Sequence, residues 1–414
     1  MSHARSVTAI PADLVTPLGV YLRLRSASTG SFVLESVERG RLGRSSFVGC
    51  GSRFVDLAEA ESLDVPVVGY LAYDYAATLE PSVQLPEAGL GLPESRFVVA
   101  ETLVRFDHGA GVAEVVAGDP EAIIELLAQP LPDDDSAQSG AGGPLRRFPS
   151  QERYEENVRS CLERIVAGDA YQVVPSQRAE RPTSASPLSL YRALRRVNPS
   201  PYLFLLELGE LALVGSSPER LVACEDGRAS VCPIAGTTSP NEGDAERLLS
   251  SEKDCAEHVM LVDLGRNDLS RVCRAGTVRV ARSFEVERFS HVSHLVSEVV
   301  GELRDGVTPF DVLRACFPAG TVTGAPKIRA MQIISGLEGC RRGPYAGAVG
   351  YVLPDGTMDT CIALRTIVVH DGVAHLQAGA GVVADSEPEA EHRECLAKLA
   401  ALEAAIELAE EEYA

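Results

Sequence analysis

Two stretches of the chain place carboxylates three residues apart: Asp254 with Glu257, and Glu391 with Glu394. On a helix that spacing puts both carboxylates of a pair on one face. Two such faces meeting across a cleft would offer the oxygen donors that Mg2+ prefers, with water and a substrate anion completing its shell. The bland alternative is a pair of solvated acidic helix faces. Asp254 and Glu257 are the better pair, because apolar residues follow from Val259 to Val262 and suggest a partly buried helix.

Small residues form the second signal. FPAGTVTGAPK runs from Phe317 to Lys327 and QAGAGVVADS from Gln377 to Ser386. Glycines there, Gly379 and Gly381 among them, would let a ligand approach the backbone and would leave N–H groups free to bind an anion. On sequence alone, tight turns at sheet edges explain them slightly better. Arg365 lies in the apolar run CIALRTIVV, which reads as a strand, and a buried cation there needs a partner. A substrate carboxylate and a structural ion pair both fit. His294, in SHVSHLVSEVV, is a candidate base or a satisfied core histidine. A helical reading of that segment would align it with His291. No third nitrogen or thiol stands near enough in sequence to suggest zinc.

These groups need a scaffold. Residues Pro130 to Ser150 are rich in Pro, Gly, Asp and Ser and lack periodicity, so they read as a linker or exposed loop. The division is an N-terminal region 1–135, a linker 136–149 and a catalytic region 150–414. Helical spacing begins at Glu152 and stops near Gly168. YQVV, from Tyr171 to Val174, reads as a strand. Hairpins are expected around Gly209 and Asp226-Gly227. EKDCAEHVMLVDL reads as a helix. Three antiparallel strands turning at Asp355-Gly356 and Asp371-Gly372 lead to a last helix, with a capping box of Ser386 and Glu389 and with Pro388 in its first turn. The class is α/β with much antiparallel sheet, an α+β arrangement rather than regular βαβ alternation. No G-x-G-x-x-G, P-loop, G-x-S-x-G or H-E-x-x-H occurs.

Bulk composition narrows the partners. A formal charge of −21 over 414 residues repels phosphate backbones and anionic membranes. Without Trp there is no evident platform for stacking single-stranded bases. Neither nucleic acid nor membrane is an expected partner. Ten cysteines without a C-x-x-C pair suggest reduced, mostly buried thiols in the cytoplasm. The chain opens without a long apolar segment, and no apolar run reaches spanning length. An anionic substrate would therefore need a locally positive pocket in an acidic protein.

Six ordered strings carry more than their physics: PIAGT (Pro233–Thr237), AEHVMLVDLGRNDLSRV (Ala256–Val272), FPAGTVTGAPKIRAMQII (Phe317–Ile334), RGPYAGAVGY (Arg342–Tyr351), DTCIALRT (Asp359–Thr366) and QAGAGVVADSEPE (Gln377–Glu389). They resemble the chorismate-utilising enzymes, and among them the synthase subunits of anthranilate synthases. The likeness is dense from Glu152 to Glu407 and extends to LESVERGRLGRSSFVG and GYLAYDY nearer the N-terminus.

The resemblance implies two large, mostly antiparallel sheets packed face to face with helices outside. It implies Mg2+ on the ring carboxylate of chorismate, with Glu257 and Glu394 as ligands and Asp254 and Glu391 as outer partners. Tyr345, Arg365, Gly379, Gly381, Lys398, Thr321 and Gly324 would hold substrate. Glu219, Gln172, Thr237 and His294 would be catalytic: Glu219 as the acid for the C4 hydroxyl, His294 in pyruvate loss. Related isochorismate synthases carry a water-activating Lys where this chain has Gln172, and aminodeoxychorismate synthases carry a Lys where it has Ala235. Ammonia, supplied by a separate glutamine amidotransferase, is the implied nucleophile, and anthranilate the implied product.

Ser293, the run Thr238-Ser239-Pro240 and a short segment up to Asp254 depart from the family pattern. They leave room for an enzyme that stops at 2-amino-4-deoxyisochorismate. A chorismate-binding regulatory subunit without turnover is the third reading. Leu34, Glu35, Ser36, Pro201 and Tyr202 resemble a tryptophan feedback pocket, with Leu203 in place of the usual Met.

Overall fold

The computed structural model describes residues 9–12, 15–36, 45–132, 142–238, 243–288 and 293–412, and of Thr237 the backbone only. Among them are an eleven-stranded and a ten-stranded sheet, whose pairings are antiparallel throughout. The sheets lie face to face, and the sequence shows why. Along Tyr202–Leu208 the residues Phe204, Leu206 and Leu208 pack against the opposite sheet. Leu203 and Leu205 pack under the outer helices. Side chains alternate across a strand, so a strand apolar on both faces must be covered on both. Phe32 and Val33, and Phe47 and Val48, divide in the same way.

The helices Pro17–Leu24, Pro187–Val197 and Pro388–Glu412 cover the larger sheet. Glu252–Ser270 and Pro309–Cys316 cover the smaller one. The two-layer α/β reading with helices outside therefore holds.

The regions on either side of the linker are not separate bodies. Strands Gly30–Glu35 and Ser45–Gly51 continue the larger sheet beyond Tyr202–Leu208. Val67–Leu71 continues the smaller sheet beyond Ala348–Val352. Within the linker, Arg146–Phe148 is itself a strand paired to Ser176–Pro182; residues 136–141 lie outside the described set.

The turn chemistry succeeds locally. Asp226-Gly227 and Asp371-Gly372 take positive φ at both positions, as tight hairpins require. Four local readings fail. The three C-terminal strands are four, in two hairpins on different sheets: Ala348–Val352 with Met358–Ile362, and Thr366–His370 with Val373–Gly379. The apolar run around Arg365 hides a break, because Arg365 has φ 48° where the chain leaves one sheet for the other. His294 lies on the strand Ser293–Glu302 rather than a helix, and His291 is outside the described residues. At the last helix the capping box does not form. Glu387 O accepts the first helical bonds, while Ser386 Oγ accepts from Val383 N at 3.0 Å.

Two crossings between the sheets run side by side. Pro218 and Glu219 join Leu211–Ser217 of the larger sheet to Arg220–Glu225 of the smaller one. Ala363 to Arg365 return from Met358–Ile362 to Thr366–His370. Ile362 N donates to Glu219 O at 3.0 Å and Ser216 N to Arg365 O at 3.1 Å. The pairing brings an acid and a cation, far apart in sequence, onto adjacent crossings.

Candidate active site

Glu219 stands on the first crossing. Burial pushes its carboxyl up to about 8; the nearby Glu257 carboxylate adds to the rise, and Lys398 opposes it. The Thr321 hydroxyl is buried and has no well-formed hydrogen bond among the described residues, yet it lies close enough to oppose the rise at Glu219 as well. A carboxyl so placed is protonated near neutrality and can donate a proton.

Gln172 shares the neighbour Glu257 with it. Its strand pairs with Gly324-Ala325, and Gly324 is required there: a Cβ would come within 2.0 Å of Gln172 O. Gln172 Nε2 donates to Glu257 Oε1 at 3.0 Å. A Cβ at Gly381 would stand 2.7 Å from the same Nε2, so the small residue at 381 makes room for the amide. Gln172 Oε1 is buried and has no partner among the described residues.

The acid pairs occupy the first two turns of their helices. Ser251 caps the helix that carries Asp254 and Glu257, accepting from Asp254 N at 3.2 Å. Glu391 and Glu394 open the C-terminal helix. Lys398, one turn on, bonds Glu394 Oε1 at 2.7 Å and Gly379 O at 2.7 Å. Burial raises the Glu391 carboxyl above its ordinary range, and the Ser386 hydroxyl opposes this. Glu219 feels both Glu257 and Lys398, and Glu391 feels both Lys253 and Lys398. The two acidic faces thus border one cleft. Among the described residues no three His, Cys, Asp or Glu side chains gather into a ready metal cage. Mg2+ does not need one, since it commonly takes one or two carboxylates and fills its octahedron with water and substrate oxygens.

Arg365 supplies an open positive charge. Among the described residues its guanidinium has no hydrogen bond or ion pair, and burial lowers its pKa. The Tyr345 hydroxyl lies 3.0 Å from where a Gly379 Cβ would be, so Gly379 leaves that hydroxyl uncovered. His294 donates from Nδ1 to Gly236 O at 2.8 Å, the carbonyl fixing the proton on Nδ1 and the basic lone pair on Nε2. Burial lowers its pKa, the Gly236 carbonyl opposes this, and nearby Arg365 adds to it, so the ring is neutral at pH 7. Gly236 has φ 62°, and a Cβ there would meet Leu248 at 2.9 Å and Asp254 at 3.3 Å. Thr237 follows on the same strand; its side chain is outside the described set.

One part of the scaffold escaped the sequence reading. Arg342, 4% exposed, bonds Glu338 at 2.6 Å, Val174 O at 2.6 Å and Val322 O at 2.8 Å. Glu338 accepts in turn from Ser176 N and Oγ. This buried pair ties the segments that carry Gln172, Thr321 and Tyr345. The sequence offers only an Arg beside Gly343, with no pattern that marks a core ion pair.

The five residues expected to form an effector pocket lie on neighbouring segments but divide between two faces: Leu34 and Tyr202 face the opposite sheet, and Glu35 faces the outer helices. Leu203 pairs with Glu35 and Phe204 with Leu34. Ser36 Oγ donates to Pro201 O at 3.0 Å. Glu35 accepts from the buried Tyr191 hydroxyl and lies 3.5 Å from Arg195. Tyr202 Oη is held by Arg220 Nε at 2.7 Å.

A deep-set protonated acid, a neutral histidine, an open arginine and two acidic helix faces are the chemical groups gathered here. Comparison with known proteins shows the family. The family of chorismate binding enzymes matches residues 17–404, and this chain belongs to it. Anthranilate synthase component 1 of Thermus thermophilus is 45% identical, covering 96% of this chain and 97% of that protein. A probable anthranilate synthase component 1 of Schizosaccharomyces pombe is 41% identical, covering 98% and 93%. The crystal structure of anthranilate synthase component I from Streptococcus pneumoniae superposes with a TM-score of 0.79 at 33% identity, covering 97% of this chain and all of that one. The menaquinone-specific isochorismate synthase of Escherichia coli, at 22% identity and TM-score 0.76, shares the fold.

Proposed function

We propose that the protein is the synthase component of an anthranilate synthase, converting chorismate and ammonia to anthranilate and pyruvate. The observation that carries this is the pairing of opposite proton roles in one cleft. Glu219 is an acid held protonated to about pH 8, and His294 is a base held neutral with its lone pair on Nε2. Amination with loss of a hydroxyl needs the first; pyruvate loss needs the second.

Chorismate's carboxylates would be met by Arg365, Lys398, the Tyr345 hydroxyl and the backbone at Gly379 and Gly381. Thr321 and Gly324 line the side nearest Glu219. The donor set fits Mg2+, with Glu257 and Glu394 as the carboxylates that would hold it and Asp254 and Glu391 behind them. Such an ion would neutralise and orient the ring carboxylate. Gln172 has no ionisable group and cannot activate water as a lysine could. Its amide is anchored on Glu257, and its open Oε1 can accept a hydrogen bond from ammonia. Glu219 gives its proton to the departing C4 hydroxyl. His294 then takes the proton from C2 as the enolpyruvyl oxygen leaves C3, and the ring becomes aromatic.

The relatives are named component 1, and no Cys of this chain sits in a Gly-rich amidotransferase elbow. A separate glutamine amidotransferase therefore delivers the ammonia. Tryptophan is the proposed inhibitor at Glu35, Ser36 and Tyr202. Ten free cysteines suit a reducing cytoplasm, and among the described residues no helix is long and apolar enough to cross a membrane.

Anthranilate fluorescence tests the reading. Ammonia with Mg2+ should support turnover of chorismate, and glutamine should do so only after an amidotransferase subunit is added. Turnover with glutamine by this chain alone would remove the partner, and turnover undiminished by a chelator would remove the metal.

A further inference from the structure

Two departures from the family pattern, Ser293 and the short segment leading to Asp254, meet in space. The strand Ser293–Glu302 begins between two neighbours: Ser293 pairs with Thr238 on one side and Arg288 on the other. Ser293 is fully buried, and its hydroxyl donates to Asp244 Oδ2 at 2.7 Å. Arg288 grips the same carboxylate with Nε at 2.8 Å and Nη2 at 2.6 Å. The guanidinium and the hydroxyl hold the Asp244 carboxyl well below the usual range. Asp244 opens the helix Asp244–Ser250. From that helix Leu248 packs on Gly236, whose carbonyl holds His294 Nδ1. One short helix thus holds both anchors of the histidine: the residue before it in the chain, and the carbonyl that orients its ring. Neighbouring strand residues face opposite ways, so fixing Ser293 inward fixes His294 outward.

We propose that Asp244, Arg288 and Ser293 form a positioning latch for His294, one that serves pyruvate elimination and not amination. The proposal rests on the anthranilate reading above. Among the described residues, no hydrogen bond or ion pair joins the side chains of Asp244, Arg288 and Ser293 to Glu219, Gln172 or Glu257. Loosening the latch moves the base relative to C2, while Glu219 stays on its sheet crossing and Gln172 on Glu257.

The test is product partition in Ser293→Ala, Arg288→Ala and Ser293→Thr, with the wild type alongside. Chorismate, ammonia and Mg2+ are supplied, and chorismate loss, the aminated intermediate, anthranilate and pyruvate are followed by mass spectrometry. Arg288 is exposed, so Arg288→Ala should fold even if Ser293→Ala does not. The alanine variants should consume chorismate at near the wild-type rate. Their elimination step should slow on the order of tenfold, so that the aminated intermediate accumulates. Ser293→Thr, which keeps the hydroxyl, should restore equal anthranilate and pyruvate. Alanine variants that slow both steps in proportion, or neither, overturn the latch while leaving the function intact. A wild type that itself accumulates the intermediate without pyruvate overturns the anthranilate reading, and the latch with it.

Discussion

Glu219→Gln separates the chemistry of this site from its contribution to stability. The substitution keeps the size and the hydrogen-bonding oxygen but removes the ionisable proton. In the metal-free protein the carboxyl titrates at about 8 against an ordinary 4.5. A folded state that holds its proton more tightly than the unfolded chain is favoured at low pH. That advantage is fully present below 4.5, is lost as the pH rises toward 8, and is absent above it. Full burial would make the loss roughly 5 kcal/mol. Solvent reaches Glu219 from the cleft, and screening reduces the expected loss to about 2 kcal/mol. The glutamine variant lacks this slope. Urea denaturation should therefore find the two proteins alike near about pH 5 and the variant more stable by about 2 kcal/mol near about pH 9. Chorismate consumption by the variant, measured at a fixed concentration of free ammonia, should fall by about a hundredfold or more. Parallel stability profiles across this range would refute the raised carboxyl, and undiminished consumption would refute its role as the acid.

Arg365→Ala should raise the KM for chorismate on the order of a hundredfold, in line with a lost charge-assisted contact of about 3 kcal/mol. It should leave stability unchanged or higher, because the guanidinium has no protein partner among the described residues; a large loss of stability would show that the charge is structural. Glu257→Gln should weaken Mg2+ binding by about tenfold or more in calorimetry with chorismate present, and unchanged affinity would place the metal elsewhere. Tryptophan should bind the wild type and inhibit it, and Glu35→Ala should abolish both; a titration with no heat and no inhibition removes the effector pocket.

Much of this was legible before any coordinates, for local reasons. The Asp-Gly turns at 226 and 371 demand positive φ, and a short aspartate with a glycine supplies it. Failures came where tertiary structure overrode local pattern. The apolar run around Arg365 gives no sign of its break, because residues on both sides are apolar for different reasons, one set facing each sheet. Ser386 lost its capping role to the Val383 turn. The linker suggested two bodies, yet antiparallel pairing joins Glu35 to Leu203 across it, and sequence distance carries no information about such pairing.

The candidate site residues were named through the family resemblance, while their states were not legible. Nothing in GSSPERL says that Glu219 is pushed up to about 8, since the cause is burial at a sheet crossing plus the nearby Glu257. Nothing in the sequence joins Asp244, Arg288 and Ser293, which sit on a helix and two strands brought together by sheet register.

The account depends most on what leaves the cleft. Mass spectrometry of the products from chorismate, ammonia and Mg2+ tests it directly. Anthranilate and pyruvate in equal amounts are predicted. An aminated, non-aromatic acid retaining its enolpyruvyl group, with no pyruvate, would contradict it.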